Sequence, residues 1–456
     1  MSLTRNGYLF SGQDQDLIKK ELTVRPVTND AIGIPSPSFK VWRRTTDGRL
    51  LVPRYFGLER CGPPTRDSRR APDSDRPIGF VGSLAKPTRQ DEAFAAGVRA
   101  FETVGGGVLS IPAGHGKTVC ALALSAHLKV QTMIVVHKEF LANQWRDRIQ
   151  TFCPGATIGR VQGDTFDVEG KDFVIALIQT MCMREFPTDA FDSVGLLVVD
   201  EAHHIGAPAF SQFMFKICPK YTLGLTATPD RKDGLTRLLY WFLGPEFFRI
   251  TRTAQKSTRV ETLHYVDEAF KEAPPVTRFG KINMAGMISQ LTEIEARNDM
   301  LLRTVHEALA LQRRVLILSD RREHCFYLQS KLGDALSGLY VGGMKEAELA
   351  KSAEKRVVVA TFQLAHEGLD IPVLDTVILA TPKSDIVQSI GRIMRETKGK
   401  LNDPLIYDVA DHWSVFHAMY RKRCKVYAEG GFQMGQGAPE PEPAAKPIND
   451  GRCMFT

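Results

Sequence analysis

One segment of the chain has the residue types and spacing of a loop that binds phosphate. Residues 111–118 read Ile-Pro-Ala-Gly-His-Gly-Lys-Thr, after an apolar stretch at 108–111 and at the start of a helix-like run at 118–128. Glycines let backbone N–H groups close around phosphates, the lysine reaches the terminal phosphates, and the threonine hydroxyl can ligate Mg²⁺. The predicted nucleotide contacts in this loop are Gly114, His115, Gly116, Lys117 and Thr118.

A second segment supplies two carboxylates. Residues 196–203 read Leu-Leu-Val-Val-Asp-Glu-Ala-His, so an apolar stretch of strand length ends in Asp200 and Glu201. We predict that Asp200 holds a metal ion and that Glu201 activates water. Each segment alone has a plain alternative. The first can arise by chance, because Ile111 stands where such a loop usually begins with glycine. The second can be the solvated end of a strand. Their shared strand context favours a site that hydrolyses a nucleoside triphosphate.

Length and composition set broad limits on the protein. A chain of 456 residues that is 43% hydrophobic can form two or three packed domains. The net charge is +7, and residues 1–85 contribute 14 Lys and Arg against 9 Asp and Glu, a surplus of 5. This surplus is compatible either with solvated loops around Arg66 to Arg76 or with a surface that binds nucleic acid.

The cysteines and the hydropathy pattern indicate a soluble intracellular protein. The eight cysteines are scattered and form no Cys-x-x-Cys pair, which argues against a disulfide framework and against a zinc site. No apolar run approaches the roughly 18 residues that span a bilayer. We therefore expect a reducing compartment and no membrane partner.

Apolar runs of strand length alternate with helical stretches from about residue 86 onward. In the first half these runs are 108–111, 132–136, 173–178, 196–199 and 221–226. In the second half they are 315–318, 338–341, 356–360, 376–379 and 405–408. Such alternation with short connections predicts an α/β fold in which helices wrap a parallel sheet, and the scheme runs twice.

The composition also predicts domain boundaries. Residues 1–85 are rich in Pro, Gly and Arg, with strand-like pieces at 39–43 and 50–55, and form a small N-terminal accessory domain, with nucleic acid as its candidate ligand. A first lobe follows at 86–255 and a second lobe at 256–427, which includes a connector at 267–298 and ends in a helix at 413–427. The tail at 428–456 is rich in Gly, Pro and Glu and is predicted to be disordered.

Other polar residues stand at positions where they can serve such a site. Gln90, upstream of the loop, carries an amide that can pair with the edge of adenine. At strand ends, backbone N–H and hydroxyl groups can hold a phosphodiester chain, and threonines after residue 225 can couple the nucleotide site to a bound strand. The predicted nucleic-acid or coupling residues are Lys138, Thr180, Thr226, Thr228 and Thr361.

The segment Gln-Ser-Ile-Gly-Arg-Ile-Met-Arg at 388–395 completes the set. Because Gln388, Arg392 and Arg395 are spaced four and three apart, they share one face of a helix. Two guanidinium groups presented together to a triphosphate are what an arginine finger requires, an effect worth on the order of 10³–10⁵ in rate. The alternative is a surface helix that forms salt bridges.

With these motifs in order, residues 80–410 resemble the superfamily 2 helicases that carry a DEAH box. The segments His-Lys-Glu-Phe-Leu-Ala-Asn-Gln-Trp at 137–145, Arg-Lys-Asp-Gly-Leu at 231–235 and Trp-Phe-Leu-Gly at 241–244 resemble the XPB-type branch. Within it, the chain is most similar to the transcript-release helicases of poxviruses and of other large cytoplasmic DNA viruses. The motif set of the superfamily also carries over onto Gly368 and Asp370, as nucleotide-binding residues.

The resemblance implies two tandem RecA-like lobes that use ATP and Mg²⁺ in a cleft between them. It implies a monomeric ATP-dependent DNA helicase that acts in viral transcription, at transcript release, or in repair. RNA or a hybrid duplex stays open as substrate, and the transcription machinery is the expected protein partner. A double-stranded DNA translocase that does not separate strands is the alternative, ahead of a nucleic-acid-binding scaffold with an inactive ATPase. The expected location is the host cytoplasm, a viral factory or the virion.

Overall fold

The structure, a computed structural model, divides into two compact units. It describes residues 1–26, 37–73, 75–112, 114–202, 207–227, 234–250, 258–278, 280, 282–369, 371–391, 393, 400 and 402–435. The first unit is Met1–Thr251 and the second is Arg252–Thr456. The predicted lobe boundary at 255/256 falls in residues 251–257, which lie outside the described residues.

Short strands and two helices build the N-terminal part of the first unit. In chain order they are β1 Ser2–Thr4, β2 Gly7–Phe10, α1 Gln15–Glu21, β3 Thr23–Val24, β4 Phe39–Lys40, β5 Arg43–Arg44, β6 Leu50–Val52, α2 Arg54–Cys61 and β7 Arg66–Asp67. Five of the strands form one sheet in the order β5-β6-β2-β1-β7, while β3 pairs with β4. The sequence did not reveal this sheet because its strands are only two to four residues long.

A second sheet, of eight strands, follows in the same unit. Its elements are α3 Gln90–Thr103, β8 Gly106–Ser110, α4 Lys117–Leu128, β9 Thr132–Val136, α5 Glu139–Phe152, β10 Ile158–Gln162, β11 Thr165–Phe166, β12 Phe173–Leu177, α6 Ile178–Met183, β13 Leu196–Val199, α7 Ala207–Met214, β14 Tyr221–Thr226, α8 Arg237–Leu243 and β15 Glu246–Arg249. The strand order is β11-β10-β12-β9-β13-β14-β8-β15. All pairs are parallel except β10 with β11, and the central strands are wholly buried, as parallel strands covered on both faces require.

The N-terminal sheet and the eight-stranded sheet share one hydrophobic core. Leu3 and Tyr8 belong to the same buried cluster as Val108 and Met133. Helix α2 also packs on α8, where the rings of Phe56 and Trp241 meet edge to face with centroids 5.3 Å apart. The predicted boundary at residue 85 is therefore not a boundary between compact units.

The second unit contains one seven-stranded sheet. Its elements are β16 Arg259–Tyr265, a 3₁₀ turn at Glu268–Lys271, α9 Met284–Glu293, α10 Glu295–Ala310, β17 Val315–Ser319, α11 Arg322–Leu332, β18 Ser337–Tyr340, α12 Glu346–Ala353, β19 Val357–Thr361, α13 Phe362–Gly368, β20 Thr376–Leu379, α14 Val387–Ile390, β21 Leu405–Asp411, α15 Val415–Glu429 and β22 Gln433–Met434. The order is β18-β19-β17-β20-β21-β16-β22, and every pair is parallel. The predicted α/β fold of two tandem RecA-like lobes, each a parallel sheet wrapped by helices, is confirmed.

Two local predictions are wrong. The strand expected at 50–55 ends at Val52, because Pro53 has no N–H for a ladder, and α2 begins directly after it. The disordered tail does not begin at 428, because α15 runs to Glu429 and β22 pairs with β16 through Gln433 and Met434. Residues 436–456 lie outside the described residues.

Candidate functional site

The order of the strands brings the two predicted segments to one edge of the eight-stranded sheet. Strand β8 precedes the glycine-rich loop, β13 precedes Asp200, and β14 lies between them. Because all three strands are parallel, their carboxyl ends meet at the same edge, where ligands bind in open α/β sheets. The backbone N–H of Ile111 also donates to the carbonyl of Thr226 at 3.1 Å, so the end of β14 is bonded to the start of the loop.

The loop turns sharply before α4. Gly114 and Gly116 have φ values of +86° and +83°, which glycine adopts without the cost of a side chain. Helix α4 then begins at Lys117, so the loop leads into a helix N-terminus with its unpaired backbone N–H groups. Lys117 and Thr118 thus lie in the first turn, where an anion is favoured.

Gln90 supports this loop. Its Nε2 donates to the carbonyl of His115 at 3.1 Å, and its Oε1 accepts from the N–H of Ala85 at 3.0 Å. A Cβ on Gly116 would lie 2.4 Å from the same Nε2. The amide therefore positions the loop backbone, while one amide hydrogen and one oxygen lone pair remain for the predicted adenine contact.

The Lys117 ammonium and the Glu201 carboxylate form an ion pair with 3.1 Å between Nζ and Oε1. Glu201 lies in the left-handed region at φ +45°, a conformation that costs roughly 1–3 kcal/mol for a residue with a side chain and that clusters at functional sites. The turn directly after β13 thus directs the glutamate to the lysine of the loop. The residues predicted to bind phosphate and to activate water are brought together.

Asp200 is buried and held by two donors. The indole Nε1 of Trp145 donates to Oδ2 at 2.8 Å, and the backbone N–H of Glu201 donates to Oδ1 at 2.9 Å. Burial, reinforced by the nearby Glu201 charge, raises the pKa of Asp200 to about 6, although Lys117 acts in the opposite direction. A divalent cation at this carboxylate would favour its charged form.

The donor set at this edge fits Mg²⁺ bound to a nucleotide. The Asp200 carboxylate and the Thr118 hydroxyl are the hard oxygen ligands that Mg²⁺ prefers. Apart from the ion pair with Glu201, the buried Lys117 Nζ meets no hydrogen-bond acceptor among the described residues, which suits a group that awaits phosphate oxygens. The described residues include no cluster of three or more His, Cys, Asp or Glu that would hold a metal ion without a nucleotide.

The predicted nucleic-acid residues of the first unit follow two neighbouring strands. Lys138 is the N-cap of α5 after β9, and Thr180 lies in α6 after β12, which pairs with β9. Thr180 Oγ1 accepts from the N–H of Gly163 at 2.9 Å, and Gln179 Nε2 donates to the carbonyl of His137 at 2.9 Å. Partial burial lowers the pKa of Lys138. These residues share the carboxyl edge of the sheet but lie beyond β13 from the loop.

In the second unit the structure describes only part of the predicted set. Thr361 is the N-cap of α13, and its hydroxyl accepts from the N–H of Leu364 at 3.4 Å. Gly368 is the last residue of α13, and Gln388 lies in α14, on a part of the chain where only the backbone is described. In this unit, three predicted site residues lie outside the described residues: Asp370, Arg392 and Arg395. In the first unit, Thr228 also lies outside them.

Several of the basic residues at 1–85 bond to the first lobe rather than face solvent. Arg54 is buried and donates to the carbonyls of Lys220 at 2.8 Å, Pro219 at 3.3 Å and Val104 at 3.4 Å. Arg69 donates to Pro219 O, and Arg76 to Lys171 O, each at 2.8 Å. These arginines therefore hold the N-terminal residues to the lobe, a role that neither interpretation of the basic surplus predicted.

Sequence reasoning assigned no role to Trp145. It lies on the buried stripe of α5 with Leu141, Ala142 and Ile149, and so has the spacing of a packing residue. Unlike its apolar neighbours, a buried indole usually bonds to an acceptor through its N–H. This was the one feature of the sequence that could have indicated a polar partner for Trp145.

Comparisons with known proteins find a matching family model and similar viral proteins. The family model described as Type III restriction enzyme, res subunit, matches residues 86–231. A putative ATP-dependent RNA helicase L396 of Acanthamoeba polyphaga mimivirus is 31% identical over 443 residues, which cover 93% of this chain and 83% of that protein. A putative helicase 161L of Invertebrate iridescent virus 6 is 26% identical over 71% of this chain and 76% of its own length.

A third relative is the putative ATP-dependent RNA helicase QP509L of African swine fever virus, isolate Pig/Kenya/KEN-50/1950. It is 22% identical over 71% of this chain and 69% of its own length. The chain thus spans more than two thirds of each of these viral proteins. None of the helices in the described part of the chain combines the length and apolar composition needed to cross a membrane.

Proposed function

We propose that this chain, which belongs to the superfamily 2 helicases and is related to helicases of large DNA viruses, is an ATP-driven motor on nucleic acid. The observation that carries the proposal is the meeting of Lys117, Glu201 and Asp200 at one edge of a parallel sheet. Lys117 would bind the terminal phosphates of ATP, and Glu201 would orient and deprotonate the attacking water. Thr118 and Asp200 would hold Mg²⁺, which neutralises charge on the phosphates when bound.

The ion pair of Lys117 with Glu201 suggests an order of events. Phosphate oxygens compete with the Glu201 carboxylate for the Lys117 ammonium, because both are anions within reach of one cation. When the lysine turns to the nucleotide, Glu201 is released to accept a proton from water. The roles of Gln388, Arg392 and Arg395 as the second unit's contribution to hydrolysis, and of Gly368 and Asp370 in nucleotide binding, are proposed from their positions in the motif set.

We further propose the XPB-type branch and a role in viral transcription, at transcript release, or in repair. The segments at 137–145 and 241–244 support the branch, and the viral relatives support the setting. DNA is our first candidate substrate. RNA is the second, because two of the three relatives are named RNA helicases.

A comparison of nucleic-acid cofactors tests these proposals. The ATPase rate of the full chain is measured with single-stranded DNA, duplex DNA, RNA and a DNA–RNA hybrid, beside a strand-separation assay on each duplex. We expect single-stranded DNA to stimulate most and duplexes with a single-stranded tail to be unwound. Stimulation by RNA alone would contradict the DNA assignment. Stimulation by duplex DNA without strand separation would identify a translocase, and no ATPase activity under any condition would overturn the motor.

A further inference from the structure

The hydrogen bond between Trp145 and Asp200 crosses two elements that are far apart in the chain. Trp145 lies in the second turn of α5, and Asp200 follows β13, yet Nε1 and Oδ2 are 2.8 Å apart. Both residues are buried, with 3% and 7% of their surfaces exposed. Bulk water therefore does not compete for this bond, and a bond to a charged acceptor is among the stronger ones in proteins.

The two donors to Asp200 determine how its carboxylate is oriented. Trp145 bonds Oδ2, while the backbone N–H of Glu201 bonds Oδ1. With one donor on each oxygen, rotation about the bond to the carboxylate is restrained, and each oxygen keeps a lone pair for a cation. Without the indole only the backbone donor remains, and the buried carboxylate can turn.

The packing of Trp145 does not by itself explain an indole at this position. Its neighbours on the buried stripe of α5 are aliphatic, and packing against them requires no N–H group. The chain contains a contrasting case in Trp413, which is buried and stacks on Phe270, but whose Nε1 meets no acceptor among the described residues. What distinguishes Trp145 is its N–H group.

We propose that Trp145 is a positioning residue that orients the Asp200 carboxylate for the divalent cation of the bound nucleotide. This inference rests on the proposed function, because it requires Asp200 to be a metal ligand. Groups that bond to a metal ligand commonly change metal affinity tenfold to a hundredfold when they are removed.

Binding of Mn²⁺ to the full chain with a non-hydrolysable ATP analogue tests the proposal, with free Mn²⁺ measured by electron paramagnetic resonance. We expect Trp145→Phe to weaken Mn²⁺ binding at least about tenfold. Affinity for the analogue without metal should not change, and Trp413→Phe, the matched loss of a buried indole, should bind Mn²⁺ as the wild type does. Equal Mn²⁺ affinity in the wild type and Trp145→Phe would overturn the proposal.

A second variant covers the case in which Trp145→Phe fails to fold. Replacing Trp145 with 3-benzothienylalanine keeps the shape of the indole and removes only the N–H, so the same loss of Mn²⁺ affinity is expected and full affinity would contradict the proposal. Failure of the proposed function is distinguishable, since the wild-type chain would then bind no Mn²⁺ with the analogue.

Discussion

At the scale of single residues, the site contains one ammonium group and two neighbouring carboxylates. Lys117 forms an ion pair with the Glu201 carboxylate, 3.1 Å away, and is proposed to bind the phosphates of the nucleotide instead when these are present. Burial and the nearby Glu201 charge disfavour the charged form of Asp200 and raise its pKa to about 6. A cation that binds beside the buried Asp200 carboxylate and the half-buried Glu201 carboxylate neutralises part of this negative charge, so nucleotide and metal are expected to bind more tightly together than apart.

Replacing the lysine tests the loop assignment at this scale. Lys117→Ala removes a donor placed to stabilise charge on the transferred phosphate, and such a loss lowers the rate about 10²–10³-fold. Nucleic-acid binding should stay within about twofold of the wild type, because Lys138 and Thr180 follow other strands. Steady-state ATPase and fluorescence anisotropy measure the two properties. Lys220→Ala, at an exposed position, is the control, and a Lys117→Ala enzyme with normal turnover would refute the assignment.

At the scale of elements, the loop is supported from α3 as well as from β8. Gln90, the first residue of α3, bonds the carbonyl of His115, and a Cβ at position 116 would lie 2.4 Å from its Nε2, so a side chain there would displace either the amide or the loop. Helix α5 also carries two of the residues discussed above. Lys138 is at its N-cap position, and Trp145 in its second turn bonds Asp200. Elements next to the nucleotide loop thus hold the backbone and the carboxylate on which the chemistry depends.

Two glycine substitutions distinguish the effect of the Gln90 contact from the strain of a side chain at positive φ. Gly116→Ala places a Cβ 2.4 Å from Gln90 Nε2 at φ +83°, so either the loop shifts or Gln90 loses its bond to the loop, and we expect nucleotide affinity to fall at least about tenfold, the effect of roughly 1.4 kcal/mol. Gly155→Ala has the same backbone strain at φ +86°, but nothing lies within 4 Å of its Cβ. Titration with a fluorescent nucleotide compares the two. If both variants bind nucleotide normally, the contact with Gln90 has no functional weight.

At the scale of the whole molecule, the N-terminal residues are part of the first unit and not an appended module. Arg54 inserts its guanidinium among three backbone carbonyls of the lobe, and the Tyr55 hydroxyl lies 2.9 Å from Thr222 Oγ1 on β14. Strand β14 also ends at Thr226, which bonds the start of the nucleotide loop. The N-terminal sheet therefore packs against a strand that belongs to the site.

Arg54→Ala measures how much this packing contributes to stability. The substitution removes three hydrogen bonds to backbone carbonyls, of which, among the described residues, only that of Pro219 keeps another donor, Arg69, and it opens a cavity, so we expect the free energy of unfolding to fall by about 2–4 kcal/mol. Arg60→Ala breaks only an exposed pair with Glu21 at 3.4 Å and should cost about 1 kcal/mol or less. Urea unfolding of the full chain, followed by tryptophan fluorescence, provides both values. Equal stability of the two variants would show that the Arg54 hydrogen bonds do not stabilise the packing of residues 1–85 on the lobe.

The amino-acid sequence by itself determined the strands at 132–136, 196–199, 221–226 and 376–379, whose observed bounds agree with the apolar runs. It also determined the glycine-rich turn and the carboxylates after β13, because apolar periodicity and glycine content are local properties of the chain. Only the tertiary structure decided that Trp145 bonds Asp200, that Arg54 bonds to the lobe, and that β22 extends the seven-stranded sheet of the second unit. Such contacts join residues from 55 to about 170 positions apart, so they depend on how the elements pack and leave no pattern in the sequence.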